Sequence, residues 1–559
     1  MKFPSAFIGL CLAFSAAPAL ADTNSFPVSI QVHAGQPLGP LTPTWRFFGY
    51  DEADYTYMKD GKKLLSELGA LEGPQVFIRC HHLLTSGDGA YSLKFSSSSA
   101  YKEDANGNPV YDWTINDKIF DTYLARGLKP YVEIGFMPEA LSAHPQNYPH
   151  QPPVNGRAPV DGGQAYPPKD YQKWDELIYQ WTKHCVARYG ADEISKWYWE
   201  CWNEPNISYW KGSREDYFKL YDYAMDGVRR ALPSARVGGP EVAGGPGGHF
   251  LAAFLTHCAT GTNYATGKVG SPLDFISFHA KGSPQFVDGH VRMGMAHQFE
   301  NINDAFSVIA AFPQFKNLPV VIGESDPEGC AACNDPQDGY RNGTMYSSYT
   351  AASFPREYEL AARYGVNLQG ALTWAFEFEN QPPFAGFRNL ASDGLDLPVL
   401  NVFRMFSKMS GDRVAVGGGT GYDAEKILDG GVRETPDVNA LAAFDKTKSQ
   451  LTILVWHYHD DDVPGPDADI DVALDQLPVK ESRAKITEYR IDADHSNSYE
   501  AWMRMGSPRT PSGKQYGQLE KAGQLAQIGK SQKLSIDNGK TNIHLVLPRQ
   551  GVSLFVINL

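Results

Sequence analysis

The stretch "WYWECWNEPN", residues 197–206, crowds three Trp and one Tyr around two Glu and two Asn. Trp and Tyr suit a half-buried strand. Pro205 then stops it, because proline cannot donate to a sheet ladder. An aromatic strand that ends on Asn203 and Glu204 presents polar groups at its tip. What those groups face depends on the strands around it.

Working outward, short β-like runs alternate with helical patterns from residue 46 to about 410. Eight strands are expected: "RFFGY" (46–50), "QVFIRC" (75–80), "KPYVEIGF" (129–136), "KWYWECWNE" (196–204), "ARVGGP" (235–240), "LDFISFHA" (273–280), "PVVIGES" (319–325) and "LQGALTWAF" (368–376). Helix signals lie between them. Trp174, Leu177, Ile178, Trp181, Cys185 and Tyr189 recur at helical spacing before Gly190. Ser213 and Asp216 make a capping-box start ahead of Tyr217, Leu220, Tyr221, Ala224 and Val228. Eight β-then-α units fit an α/β (β/α)8 TIM barrel. The alternative, a doubly wound open sheet, wants a Gly-rich phosphate turn after an early strand, and none is present.

From residue 411 to 559 the texture becomes strands separated by Gly, Asp and Pro turns, as in "LAAFDKTKSQLTILVWHYH" and "NIHLVLPRQGVSLFVINL". That pattern predicts an accessory antiparallel β-sandwich. Residues 22–45 carry strand-like sequence and are expected to join it. No repeat, low-complexity tract or long linker separates the two domains.

Of 559 residues, 42% are hydrophobic and 20% charged, the balance of a folded globular chain. The net charge of -14, with no run of Lys or Arg, argues against nucleic acid or an anionic membrane as a partner. Aromatics at 12% either fill large cores or stack on sugar rings. Residues 1–21, with Lys2, an apolar run over 6–14 and Ala19-Leu20-Ala21, read as a secretory signal peptide. The chain is therefore expected to be exported, to the periplasm or beyond the cell. Six Cys remain after Cys11, too few for a disulfide scaffold. Cys330 and Cys333 suit a local disulfide, with two free thiols the alternative and a metal site less fitting, since no second pair or His cluster accompanies them.

In a barrel of this kind the site lies at the C-terminal ends of the strands. Glu204 ends the fourth strand and Glu324 the seventh. His81, Phe136, His279 and Trp374 end the second, third, sixth and eighth. Two carboxylates across a barrel mouth suit glycoside hydrolysis, in which one acid protonates the leaving oxygen and the other carboxylate meets the anomeric carbon. Glu204, between Trp202 and Pro205, is the expected acid and Glu324 the expected nucleophile. Asn203 is placed for the sugar 2-hydroxyl, and His279 for Glu324 or a sugar hydroxyl. Each of these residues also has an ordinary structural reading, as do Asp51, Glu52, Glu377 and Glu379. Arg79 either anchors the charge of Glu324 or belongs to a structural ion pair. Two carboxylates supply this chemistry without a metal or organic cofactor.

"WNEPN" followed by "GES" at strand seven resembles the retaining glycosidases with catalytic glutamates on strands four and seven. Together with "FFGYDEADYTY", "RCHHLL", "KPYVEIGFMP", "ISFHAKG" and "ALTWAFEFENQPPFAGFRNL", the chain resembles glycoside hydrolase family 39 over nearly its whole length, particularly the bacterial β-xylosidases. The resemblance implies Glu204 as acid/base and Glu324 as nucleophile. It implies a xylose-sized subsite of His81, Phe136, Asn203, His279 and Trp374, with Trp374 as the floor. It implies an exo-acting β-1,4-xylosidase on xylooligosaccharides, with an arabinosidase, an α-L-iduronidase or an endo-glycanase as alternatives. The chain departs from the pattern at "HAK", where Lys281 stands in place of a Tyr, and at Glu377 and Glu379, whose spacing after Trp374 is shifted. Lys281 could clamp a uronate.

Overall fold

A computed structural model describes residues 25–148, 162–479 and 481–559. The expected signal peptide, residues 1–21, lies outside the described residues.

Eight parallel strands close into a barrel: β1 (Phe47–Tyr50), β2 (Phe77–Cys80), β3 (Lys129–Ile134), β4 (Tyr198–Cys201), β5 (Arg236–Val242), β6 (Phe275–Lys281), β7 (Val320–Asp326) and β8 (Leu368–Thr373). Each pairs with its sequence neighbours, and β8 pairs with β1. All eight fall within or overlap the runs read from the sequence. The helix over Tyr171–Tyr189 starts on Asp170, whose carboxylate accepts two backbone N–H bonds, and stops at Gly190 with φ 88°. The helix over Arg214–Ala231 has both halves of the Ser213–Asp216 capping box.

Inward side chains come every second residue along a strand. The lower layer of the barrel is aromatic. Phe77 stacks on Phe47 at 5.1 Å, Tyr198 meets Phe77 edge-on at 5.0 Å, and Tyr131 and Phe275 lie 5.1 and 5.0 Å from Tyr198. Burying each such ring contributes roughly 1.5–3 kcal/mol. These rings fill the barrel beneath the strand ends.

The second unit is a ten-stranded, mostly antiparallel sheet with one apolar core holding Val28, Val414, Ile453, Ile470, Ile543 and Ile557. The N-terminal strand Phe26–Pro40 lies within it, antiparallel to Asp412–Gly418 and parallel to Ala468–Asp475. This region also holds helices over Ser498–Arg504 and Gly513–Gly523, which the strand-only reading of 411–559 missed. Their signals are local: Asn497 caps the first, and a Ser512–Gln515 capping box opens the second. The two units touch near the barrel mouth. The hairpin Gln285–Val287/His290–Arg292 after β6 pairs with Asp461, and Arg292 Nε donates to its carboxylate at 2.5 Å.

Candidate active site

Two residues above the aromatic layer the same strands turn charged. Arg79 on β2 is fully buried. Its Nε donates to Glu200, Nη1 donates to Glu324 Oε1 at 3.2 Å, and Nη2 donates to Asn203 Oδ1 at 3.0 Å and lies 2.9 Å from Glu133. Its guanidinium sits 4.9 Å over the Trp374 ring. A lone buried cation would cost several kcal/mol, and this ring of carboxylates offsets it. Burial, Glu241 and Glu133 push the Glu200 carboxyl well above the usual range, against the pull of Arg79.

β4 ends earlier than its sequence suggests. Trp202 and Glu204 adopt left-handed φ of 74° and 44°, so the chain leaves strand geometry before Asn203. Neighbouring aromatics hold that turn. The Trp202 ring lies 5.1 Å from both Phe136 and Trp210, and its Nε1 donates to the Tyr209 carbonyl at 2.9 Å. The Glu204 N–H donates to the Glu241 carbonyl at 2.9 Å. The Glu204 carboxylate thereby faces the barrel axis and keeps 13% of its side-chain surface open.

His279 joins the two strand ends. Its Nδ1 donates to Glu204 Oε1 at 2.9 Å and lies 3.7 Å from Glu324 Oε1. Nε2 lies 3.0 Å from Glu241 Oε2, an ion-pair distance without hydrogen-bond alignment. Burial pulls the imidazole pKa down, but Glu324, Glu204 and Glu241 outweigh it and push it up to about 9. Glu241 is held at about 2, because the neighbouring Glu200 and His279 and the charge of Arg79 outweigh its burial. The ring is thus an imidazolium among carboxylates.

Glu324, on β7, accepts from Lys281 Nζ at 2.5 Å through Oε2. Burial alone would raise its pKa. Lys281, His279, Arg79 and His81 outweigh burial and hold the carboxyl well below the usual range. Gly323 beside it is required, since a Cβ there would overlap the Glu241 carboxylate. Gly49 is required for the same kind of reason, because the Trp374 ring fills its Cβ position.

Of the other expected residues, His81 Nδ1 donates to Glu133 Oε2 at 2.5 Å, and its ring lies 4.3 Å from Trp374. Phe136 packs beneath Tyr209 at 5.7 Å. Trp374 Nε1 donates to Asp51 Oδ1 at 3.2 Å. Asp51 therefore belongs to the cluster, whereas Glu52 accepts the N–H groups of Phe95 and Ser96 and pins the loop after β2. Glu377 and Glu379 do not join the cluster. Glu377 accepts the Gly394 N–H at 2.6 Å. Glu379 accepts those of Asp60 and Gly61 at 2.9 and 2.7 Å, capping the helix Lys59–Gly69. Both acids thus anchor backbone N–H groups in this structure. Cys330 and Cys333 form a disulfide.

Sequence reasoning missed Glu133, Glu200, Glu241, Asp326, Tyr209 and Lys94. The first four had a signal, an acid at an inward position of a barrel strand. Tyr209 and Lys94 arrive on loops and had none. Lys94 donates to Asp51, and burial together with Asp51, Glu204 and Glu324 raises the Tyr209 phenol. A cavity of about 890 Å3 between the loops after β2 and β3 is lined by residues such as Tyr101, Glu103, Glu139 and Lys169, and by none of the carboxylate cluster.

The chain is similar to known glycosidases. A β-xylosidase of Caldicellulosiruptor saccharolyticus is 26% identical over 95% of this chain and 99% of its own. The α-L-iduronidase of Mus musculus is 26% identical over 91% of this chain and 77% of its own. The crystal structure of a monomeric β-xylosidase from Caulobacter crescentus shares the fold, with a TM-score of 0.73 at 22% identity over 95% of this chain and 99% of that one. The model of glycosyl hydrolases family 39 matches residues 28–535, and with the carboxylate-lined barrel mouth this makes the chain a glycosidase of that family.

Proposed function

We propose that the chain is an exported, retaining exo-β-1,4-xylosidase that releases xylose from the non-reducing ends of xylooligosaccharides. One observation carries the reading. His279 lies within 2.9 Å of Glu204 and 3.7 Å of Glu324, two carboxylates in unlike settings. Their nearest oxygens are separated by at most the sum of those distances, a limit only a collinear arrangement would reach. That favours the retaining separation of about 5–5.5 Å over the inverting one of about 6.5–9.5 Å. Glu324, held ionised by its cations, attacks the anomeric carbon. Glu204, the more open carboxyl, gives its proton to the leaving oxygen and later takes one from water. The Arg79 bond to Oδ1 of Asn203 turns the amide NH2 away from the guanidinium, leaving a donor for the sugar 2-hydroxyl.

A neutral sugar suits the charge balance. Lys281 is taken up by Glu324 and Asp326, Lys94 by Asp51, and Arg79 by the barrel carboxylates. The xylosidase relative also matches over 99% of its own length. A second reading, hydrolysis of a uronide, rests on Lys281 as a cation at the site and on the iduronidase relative. Export is supported by residues 1–21 and by the Cys330–Cys333 disulfide. Aryl xyloside, arabinosides, glucoside and uronides, compared by kcat/KM, test the reading. The xyloside is expected to lead by at least about tenfold, roughly 1.4 kcal/mol of transition-state preference. A uronide in first place replaces this reading with the second.

A further inference from the structure

Lys281 is the last residue of β6 and Asp326 the last of β7, paired in register. The Lys281 ammonium lies 2.5 Å from Glu324 Oε2 and 2.5 Å from Asp326 Oδ2. Asp326 is fully buried. Its Oδ1 accepts the Trp374 N–H at 2.9 Å, and its Oδ2 lies 3.4 Å from Arg388. The ammonium is therefore anchored from behind by a carboxylate that takes no part in bond making. It stays in place when the charge on Glu324 disappears.

We propose that Lys281 is the fixed counter-ion of the Glu324 carboxylate and acts chiefly in the second half of the reaction, as the group that makes Glu324 a good leaving group. This rests on Glu324 being the nucleophile. In the first half, a bond forms between a Glu324 oxygen and the anomeric carbon, and the bond to the leaving oxygen breaks as that oxygen takes the Glu204 proton. The negative charge on Glu324 is lost, so a cation beside it stabilises the starting state and slows this half. In the second half, water attacks the anomeric carbon and gives its proton to Glu204. The electron pair of the ester bond returns to Glu324, and the same cation now stabilises the growing charge. An ammonium held by Asp326 needs no reorganisation at that moment.

Pre-steady-state kinetics with an activated aryl xyloside test this. Lys281→Met is expected to lower kcat by about 10–100-fold, the scale of losing one preorganised charge-stabilising group. KM should fall with it while kcat/KM holds or rises, and a burst of phenol near one per site should appear, with the glycosyl-enzyme visible by mass spectrometry. Lys281→Arg keeps the charge and should show no burst. Lys281→Gln keeps a hydrogen-bond donor without the charge and reads the same quantity where the Met variant does not fold. A raised KM with no burst in the uncharged variants would overturn the proposal and make Lys281 a substrate contact. Absence of any glycosyl-enzyme in the wild type with a slow-turnover xyloside would instead overturn the nucleophile assignment beneath it.

Discussion

Phe77, Tyr131 and Tyr198 fill the lower barrel, and two residues further along the same strands stand Arg79, Glu133 and Glu200. Both layers are buried, yet they are held by different physics. The lower one rests on apolar area and ring packing, which have no charge to titrate. The upper one rests on charges that are tolerable only because each has a partner. Removing a ring leaves a cavity, whereas removing a charge leaves its partner buried and alone. The difference explains how one short strand can be both a structural stave and a support for chemistry.

The contrast can be broken by substitution. The largest effect is expected for Glu324→Ala, which should lower turnover of an aryl xyloside on the order of 10^4-fold or more, with azide restoring activity and giving product of inverted configuration. Arg79→Met and Phe77→Ala should each destabilise the fold by about 3–5 kcal/mol in denaturant unfolding, the first by stranding carboxylates and the second by opening a cavity. They should differ in function: the Arg79 variant loses activity, and the Phe77 variant keeps kcat per folded molecule within about twofold.

The charged layer also makes stability depend on pH. The His279 pKa is raised from 6.5 unfolded to about 9 folded. Its contribution, about 3 kcal/mol, is fully present below pH 6.5 and is lost as pH rises through 9. Glu241 has the opposite sign: its folded pKa of about 2 lies below 4.5, so its contribution is present above pH 4.5 and is lost as pH falls through 2. Unfolding free energies measured from pH 6 to pH 10 should fall in the wild type and flatten in His279→Gln. The smallest effect is expected for Glu379→Gln, about 1 kcal/mol of stability at a helix start with kcat unchanged.

The staves were legible because short β-like runs and capping signals are local. So were the strand-end residues Glu204, Glu324, His279, Asn203, His81 and Trp374, since a parallel barrel sends its strand tips to one place. The backbone bonds of Glu377 and Glu379 were not legible, because the N–H groups are brought in from Gly394 and the Lys59–Gly69 helix, contacts that depend on tertiary structure. Lys281 was legible as a site residue but not as a counter-ion, since that depends on the register of β6 against β7. Tyr209 and Lys94 reach the site on loops whose course no spacing encodes.

The central claim, that Glu324 and Glu204 act as nucleophile and acid/base of a retaining glycosidase, is tested most directly by covalent trapping. A fluorinated xyloside with a dinitrophenol leaving group should inactivate the enzyme with one sugar per chain, and the labelled peptide should carry it on Glu324. Label on Glu204, or turnover without trapping that gives product of inverted configuration, would contradict the account.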